Sequence, residues 1–470
     1  KEGQSHVTYA VRREIRVKEA LTGLSQLLSL SVRLRQSLVC MALLAVLAAQ
    51  SLVAAENGAH EDPSQLNIYL ITVDVGDNVW DNFGHSALRI VDGLAGTDTI
   101  YNWGVFEVRD GPVAFAYDFF VDELEYRLAT QGTRREIDNY RAQRRSVWQD
   151  EIRLTAAQKQ RLLARLNWNR APENLYYDYD YFFDNCTTRI RDYLNEALDG
   201  AFYASVAAQA GSTFRDQVRS HYASLQPISF SLDVIMNGNL DREMTGWESL
   251  FLPLNLRASL ASMQVPEPLM GGLQPLFGER ETLLSYEAPA AQRDFYGVAS
   301  FYVLCLCIYL LLMLKRIRRS YFATHSQTGF RFAGFNFRLL GALSVLLFGL
   351  SGIYGVLMLG SWFFSGHEDL HHNANLLLFW PTDLIGAMIA LRWFFLAQPW
   401  SLTHNSKPFM VYYFFAKLCA VIFYCGATFS GYFEQDTQQI ALFITPCLFV
   451  VGLLSWIVGF DAAKRSDSIL

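Results

Sequence analysis

The sequence predicts an α+β domain followed by an all-α membrane domain, and three observations carry that reading. The chain has 470 residues, of which 51% are hydrophobic and 18% charged, a high apolar share for a wholly soluble protein. Those apolar residues are unevenly placed: runs of about 20 crowd the C-terminal third, while residues 56 to 293 have an ordinary globular mixture. Within the ordinary part, β-branched and aromatic segments alternate with amphipathic ones. A net charge of -6 supplies no basic field for nucleic acid, and no local motif suggests that partner.

In chain order, residues 1–31 carry no initiating Met and fit no signal-peptide plan, so they are expected to be a non-native extension. Residues 32–55 read as a cleaved secretory signal. Arg33 and Arg35 precede the apolar run from Leu38 to Ala49, and Val53-Ala54-Ala55 supplies small residues before Glu56. An uncleaved anchor is the alternative; lipoprotein cleavage at Cys40 would leave most of the apolar run downstream. Residues 56–200 form the expected exported core. Leu66 to Val75, Ser86 to Val91 and Thr99 to Trp103 are antiparallel strand candidates, with Gly84, Asp92-Gly93 and Gly96 as punctuation. Thr155 and Gln158 make a capping box ahead of Leu162, Leu163 and Leu166. A second helix runs from about Cys186, with Ile190, Tyr193, Leu194, Ala197 and Leu198 on one face. Residues 201–293 are weakly patterned, hold Pro253, Pro266, Pro268, Pro275 and Pro289, and are expected to be a loosely structured lid or connector.

Residues 294–461 read as five spans, at about Phe295 to Leu314, Leu339 to Phe363, Leu376 to Leu396, Phe409 to Phe429 and Ile440 to Phe460, with a tail at 462–470. Loop charges set the orientation. Lys315, Arg316, Arg318, Arg319, Arg331 and Arg338 lie between the first two spans without an acid, whereas Glu368 and Asp369, then Glu434 and Asp436, mark the opposite side. The basic loop and tail are therefore expected in the cytoplasm and residues 56 to 293 outside it, which for a bacterial chain means the periplasm and the inner membrane. Cys305, Cys307, Cys419, Cys425 and Cys447 fall inside spans, where packing is their default role.

Candidate chemistry starts at Cys186, the one cysteine between residues 56 and 293. An unpaired thiol in an oxidising compartment is either buried and inert or used as a reactive group. Asp184 or Asn185 can cap the helix, placing Cys186 in a first turn whose N–H groups and dipole favour a thiolate, with Arg189 adding positive charge. Of His60, His85 and His221, only His85 stands at the mouth of a strand. A strand-borne histidine opposite a helix-start cysteine is the papain-type arrangement with the chain order reversed. A buried structural Cys and a satisfied His is the alternative on local features.

Phe83-Gly84-His85-Ser86-Ala87-Leu88-Arg89, Tyr101-Asn102-Trp103-Gly104 and Phe183-Asp184-Asn185-Cys186-Thr187-Thr188-Arg189-Ile190 all lie between Asn67 and Leu198. Together they resemble the periplasmic domain of the Lnb family of bacterial lipoprotein N-acyltransferases. His371-His372-Asn373-Ala374-Asn375-Leu376-Leu377 extends the likeness into the membrane half. The resemblance implies a thiol acyltransferase, with phospholipid as acyl donor and the N-terminal amine of a diacylglyceryl lipoprotein as acceptor. At the level of fold alone, the pattern is similar to the permuted papain-like (NlpC-like) fold of lecithin:retinol acyltransferase relatives. The expected mechanism is ping-pong through a thioester on Cys186, with His85 as base and acid and no metal or soluble cofactor. Asn102 is the candidate for orienting the imidazole, or else a strand-end amide bonded to a turn. Asn185 is the candidate for oxyanion or helix-start support.

Other features have two readings each. Tyr176, Tyr177, Tyr179, Tyr181, Phe182 and Phe183 line an acyl slot or, more ordinarily, a core. The arginines from Arg127 to Arg153 face lipid phosphates or, more ordinarily given the interspersed Glu136, Asp138, Asp150 and Glu151, form a solvated face. His367, His371 and His372 beside Glu368 and Asp369 have metal-like spacing, although capping the third span, together with Asn373 and Asn375, and touching headgroups is the plainer role. Against the acyltransferase stand a papain-like hydrolase acting on lipid or cell-wall amides, and a non-enzymatic membrane scaffold. The sequence leaves oligomeric state, chain length and the exact acceptor open.

Overall fold

A computed structural model describes residues 65–106, 117–118, 120–121, 124–206, 208–267, 272–292, 295–314, 330–396 and 407–466. The expected extension and signal segment with Cys40, together with His60, the basic residues Lys315 to Arg319 and the end of the tail, lie outside the described residues. The N-terminal half is built on a seven-stranded antiparallel sheet. Its strands in chain order are Leu66–Val73 (β1), His85–Asp92 (β2), Thr97–Val105 (β3), Tyr126–Gly132 (β4), Val147–Ile152 (β5), Tyr176–Tyr177 (β6) and Phe277–Leu284, with spatial order last strand-β5-β1-β2-β3-β4-β6.

Alternation sorts the sheet's side chains onto two faces. Leu66, Ile68 and Leu70 of β1, Leu88 and Ile90 of β2, and Tyr101 and Trp103 of β3 pack against helices Ala156–Arg170 (α2) and Cys186–Ala197 (α3). Ile71, Val73, Ala87 and Ile100 point the other way, onto Tyr140 of helix Thr133–Ala142 (α1). Central β1 is covered on both faces, and its second half is accordingly buried without interruption. The Thr155–Gln158 capping box that the sequence predicts is present at the start of α2.

The segment after residue 200 departs from the loose lid or connector that its composition suggests. Its helices are Ala201–Ser205 (α4), Phe214–His221 (α5), Gln226–Ile235 (α6), Gly246–Ser249 (α7) and Pro253–Ser262 (α8). Gln209–Thr213 (β7) pairs with Glu243–Thr245 (β8), Gln264–Pro266 (β9) with Leu273–Pro275 (β10), and Phe277–Leu284 (β11) closes the main sheet against β5. Several prolines sit where they suit regular structure: Pro227 and Pro253 occupy first-turn positions of helices, where no backbone N–H is needed. Buried Arg215 ties the segment together through Asp241 at 2.7 Å, Asp233 at 3.3 Å and the carbonyls of Met236 and Asn237 at 3.1 and 2.8 Å.

The C-terminal half is helical: Phe295–Leu312 (α9), Phe330–Phe364 (α10), Asp383–Leu396 (α11), Lys407–Ser430 (α12), Gln438–Phe443 (α13) and Thr445–Ser466 (α14). Among the described residues, Phe335–Phe364 and Tyr412–Ser430 are long and apolar enough to cross a membrane, and Gly297–Leu312 and Thr445–Ile457 are shorter apolar helices. Two expected spans are less regular than their hydropathy. The third is helical only from Asp383, giving 14 residues or about 21 Å, because Ala374–Leu377 is a single 3-10 turn and Pro381 follows it. The fifth is broken at Ile444, where Pro446 lacks the N–H that a continuous helix would require. Gly352 and Gly355 of α10 let the chain before and within α11 press close: an added Cβ would lie 2.6 Å from Leu384 and Pro381.

The two halves meet through buried and partly buried polar contacts. Asn373 and Asn375 each donate to the Val234 carbonyl at the end of α6, both at 2.9 Å. Asn237 donates to the carbonyls of Glu368 and His371 at 2.9 and 2.7 Å, and Arg219 pairs with Asp436 at 2.7 Å. Asn373 does cap the turn that opens the expected third span, its Oδ1 accepting from the Asn375 N–H at 2.8 Å, and both asparagines also rivet the halves together.

Candidate active site

His85 owes its position to the turn before it. Gly84 has φ +78°, and a Cβ there would lie 2.7 Å from the Val73 carbonyl, so glycine is what lets β2 begin at residue 85, directly opposite Val73. The loop between β1 and β2 is pinned by buried Arg145, which donates to Asp81 Oδ1 and to the Asp74 carbonyl, each at 2.9 Å. This arginine belongs to the stretch that sequence patterning assigns to a solvated face; it is 4% exposed.

Cys186 opens α3, and Asn185 is its cap. Asn185 Oδ1 accepts from the N–H groups of Thr187 and Thr188 at 2.8 and 2.9 Å, while Nδ2 donates to the carbonyls of Tyr181 and Phe251 at 2.9 and 3.1 Å. Both lone pairs and both hydrogens of the amide are thereby engaged, so Asn185 supports the helix start and has no donor left for an oxyanion. Asp184 does not cap; it pairs with Arg189, whose guanidinium also lies 4.0 Å above the Tyr177 ring. Arg189 is thus committed to a carboxylate and a ring rather than to the thiol.

The imidazole is what acts on the sulfur. Burial alone would raise the Cys186 thiol, but the charge and hydrogen bond of His85, the Ser86 backbone and the Thr187 hydroxyl outweigh it and bring the pKa from 9.0 down to about 7. The same coupling works in reverse on His85. Burial would lower it, and Arg145 adds to that, yet Cys186 and the hydrogen bond to Asn102 carry it above its ordinary value of 6.5. Both shifts favour a thiolate–imidazolium pair. Thr187 Oγ1 lies 3.7 Å from the sulfur and donates to Ser86 Oγ at 3.2 Å, linking the helix start to β2.

Asn102 lies beside the His85 ring. Its Oδ1 lies 3.1 Å from His85 Nε2, and its Nδ2 donates to Glu136 Oε1 at 2.9 Å. Because Asn102 shares its sheet face with Ile100, the face that α1 covers, the first turn of α1 brings Glu136 directly against it. Sequence reasoning treats Glu136 as part of a charged, solvated stretch, whereas it is 7% exposed. The usable signal was periodic: Thr133, Glu136 and Tyr140, three and four residues apart, are the buried positions of α1.

The aromatic stretch before the nucleophile divides in two. Tyr177 and Tyr179 border the thiol and are held well above the ordinary phenol range by burial and then by the Cys186 charge, so both remain protonated. Tyr179 also stacks on Tyr126 at 4.2 Å. Phe182 instead enters a separate core with Phe214 and Phe251. The three outer histidines are engaged by different partners: His371 Nε2 contacts the Ser365 carbonyl at 3.1 Å and its ring meets that of His372 edge-on at 6.4 Å, His372 packs on Trp362 and His367 on Tyr181. No group of three or more metal-binding side chains assembles among the described residues.

Comparison with curated proteins and with solved structures finds no match. Two family models do match. The Lnb N-terminal periplasmic domain covers residues 58–220, which include β1 to β6 and the whole Cys186–His85–Asn102 cluster. The Lnb transmembrane domain covers residues 331–462, from α10 into α14. With both halves matched in order along the chain, this protein belongs to the Lnb family and is a membrane protein with a periplasmic N-terminal domain.

Proposed function

We propose that the chain is a lipoprotein N-acyltransferase that carries an acyl group from phospholipid, through a thioester on Cys186, to the N-terminal amine of a diacylglyceryl lipoprotein. The observation that supports it best is the Cys186 thiol, drawn down to about 7 by His85, in a domain riveted to apolar helices. In the first half-reaction the sulfur attacks the ester carbonyl carbon. A C–S bond forms, the bond to the lyso-lipid oxygen breaks, and His85 gives that oxygen its proton. In the second, the acceptor nitrogen attacks the thioester carbon, the sulfur leaves as thiolate, and His85 takes the proton from nitrogen. Asn102 orients the imidazole, and the main-chain N–H of Cys186 at the helix start faces the oxyanion. Every proton and bond is accounted for by these groups, so neither half needs a metal or soluble cofactor.

In the same reading the periplasmic domain is a permuted papain-like (NlpC-like) unit, with histidine before cysteine in the chain. Helices α9, α10, α11, α12 and α14 are the five spans of a bacterial inner-membrane protein. A helix of about 21 Å suits a hydrocarbon core of about 30 Å only if the preceding irregular backbone is sheltered by protein, and Asn375, at 0% exposure, and Leu378 are buried there. A reporter fused after Arg319 is expected in the cytoplasm and one fused after Ile235 outside it.

The test is functional replacement. The protein is expressed in a bacterial strain depleted of its own apolipoprotein N-acyltransferase, and lipoprotein N-terminal peptides are weighed by mass spectrometry. Growth and a third acyl chain are expected, lost in Cys186→Ala and His85→Ala. Two chains only, with protein well expressed and inserted, would favour a hydrolase instead.

A further inference from the structure

The Asn102 carboxamide has two faces of opposite polarity, and only one of them suits His85. An imidazole that protonates a leaving group or accepts a proton at its sulfur-facing nitrogen needs Nε2–H on its far side, and Nε2–H needs an acceptor. Turned the other way, the amide would present N–H to Nε2, oppose the imidazolium, and push the neutral ring toward the tautomer with its proton on the sulfur side. Nothing in the chemistry of an isolated asparagine chooses between these orientations.

Glu136 makes the choice. Its carboxylate is surrounded by donors: Asn102 Nδ2 at 2.9 Å, Asn139 Nδ2 at 3.2 Å, Gln131 Nε2, and the Tyr140 hydroxyl. A carboxylate oxygen accepts and a carboxamide oxygen cannot donate, so the Asn102 nitrogen must face Glu136 and its oxygen must face His85. Asn102 and Glu136 are 4% and 7% exposed, which leaves little water to satisfy a reversed amide.

We propose that Glu136 is a positioning residue which, by locking the amide polarity of Asn102, sets the protonation pattern of His85 and hence the ionisation of Cys186. The inference rests on the proposed Cys186–His85 pair, but its readout is thiol chemistry rather than acyl transfer, so either can fail without the other. The other groups facing the pair are Tyr140, Tyr177 and Tyr179, all held above the ordinary phenol range, and Arg145. The three phenols keep their protons between about pH 5 and 9.

The experiment follows iodoacetamide labelling of Cys186 against pH in the full chain in lipid nanodiscs, with its remaining cysteines changed to serine or alanine. Glu136→Leu removes the acceptor at similar size. Its labelling midpoint should move up by about one unit, with labelling about three- to fourfold slower at pH 6, because the ionised fraction falls about tenfold while the more basic thiolate is about threefold more nucleophilic. Glu136→Gln still offers an oxygen to Asn102 Nδ2 and should keep the midpoint. Asn102→Ala should shift it as Glu136→Leu does, and the double variant should shift no further, because both act through one amide. An unchanged midpoint in folded Glu136→Leu, a shift in Glu136→Gln as large as in Asn102→Ala, or additive shifts would each overturn the proposal. If Glu136→Leu does not fold, ¹⁵N spectra of the wild-type His85 ring at about pH 9 decide: a neutral ring protonated at Nε2 upholds it, and one protonated at Nδ1 overturns it.

Discussion

Replacing His85 with alanine should make the Cys186 labelling curve cross that of the wild type, and the crossing can be worked from the thiol itself. In the intact pair the thiol ionises near 7 rather than 9.0. Two units correspond to about 3 kcal/mol of preference for the thiolate, at about 1.4 kcal/mol per unit. Without His85 the burial that opposes ionisation remains, so the midpoint should return to about 9 or above. At about pH 6 the ionised fraction then falls from roughly one in ten to roughly one in a thousand. A more basic thiolate is also more nucleophilic, by about eightfold over two units at a Brønsted slope of about 0.45. The net expectation is labelling about tenfold slower in His85→Ala at pH 6, equal rates near pH 8, and about eightfold faster labelling above pH 10. Rates of iodoacetamide incorporation, quantified by intact mass, provide the assay. Parallel curves with one shared midpoint would refute the pairing, since a sulfur indifferent to His85 has no reason to titrate early.

Three further outcomes follow from the geometry. Gly84→Ala places a side chain at φ +78° and against the Val73 carbonyl, so it should cost about 1–2 kcal/mol or more, lower the melting temperature and displace His85 enough to slow labelling at pH 6. Asn185→Ala removes a cap and leaves the Tyr181 and Phe251 carbonyls unpaired; a loss of about 1–3 kcal/mol is expected in chemical denaturation, and Asn185→Asp should not recover it, because its second oxygen would meet both carbonyls acceptor to acceptor. Arg215→Leu strands Asp241 in a buried site and leaves Asp233 to Arg219 alone, and about 3–5 kcal/mol of destabilisation should appear as protease sensitivity between α5 and α8.

What could be read from sequence was what is local. Strands β1 to β3 announce themselves by period-two apolar residues, and α2 and α3 by caps within a few residues of their start. Cys186, His85 and Asn102 were legible for the same reason: each stands at an element boundary or on a strand face that its neighbours define. Strand β5 was not, because Val147-Trp148-Gln149-Asp150-Glu151-Ile152 places buried Asp150 in the middle of a sheet. That charge is tolerable only because Arg257 and Arg280 reach it at 2.6 and 2.8 Å, from more than 100 residues along the chain. Glu136 and Arg145 were hidden in the same way, since a charge whose partners lie on another element looks like a surface charge until the fold is known. The irregular third span follows the same logic, with Asn373 and Asn375 satisfied by a carbonyl of α6 that no hydropathy window contains.

In the proposed reaction the thiol must attack an ester and later leave an acyl carbon, and these demands pull its acidity in opposite directions. A more acidic thiol ionises and departs more readily but attacks less vigorously; with a Brønsted slope below one, attack is fastest when the pKa lies near the ambient pH. A value of about 7 meets that condition, and it is reached against burial, through His85, Ser86 and Thr187. The same burial has a second consequence. A site that keeps water from the thioester must still admit two substrates that stay in the bilayer, and a flexible tether between domains would leave that approach to chance. Asn237, Asn373, Asn375 and the Arg219–Asp436 pair hold the α5–α6 segment of the N-terminal half to the helical half through buried and partly buried contacts instead. A diffusible wall peptide would gain nothing from such rivets, whereas a lipid-anchored donor and acceptor would meet the thiol at one defined height above the membrane.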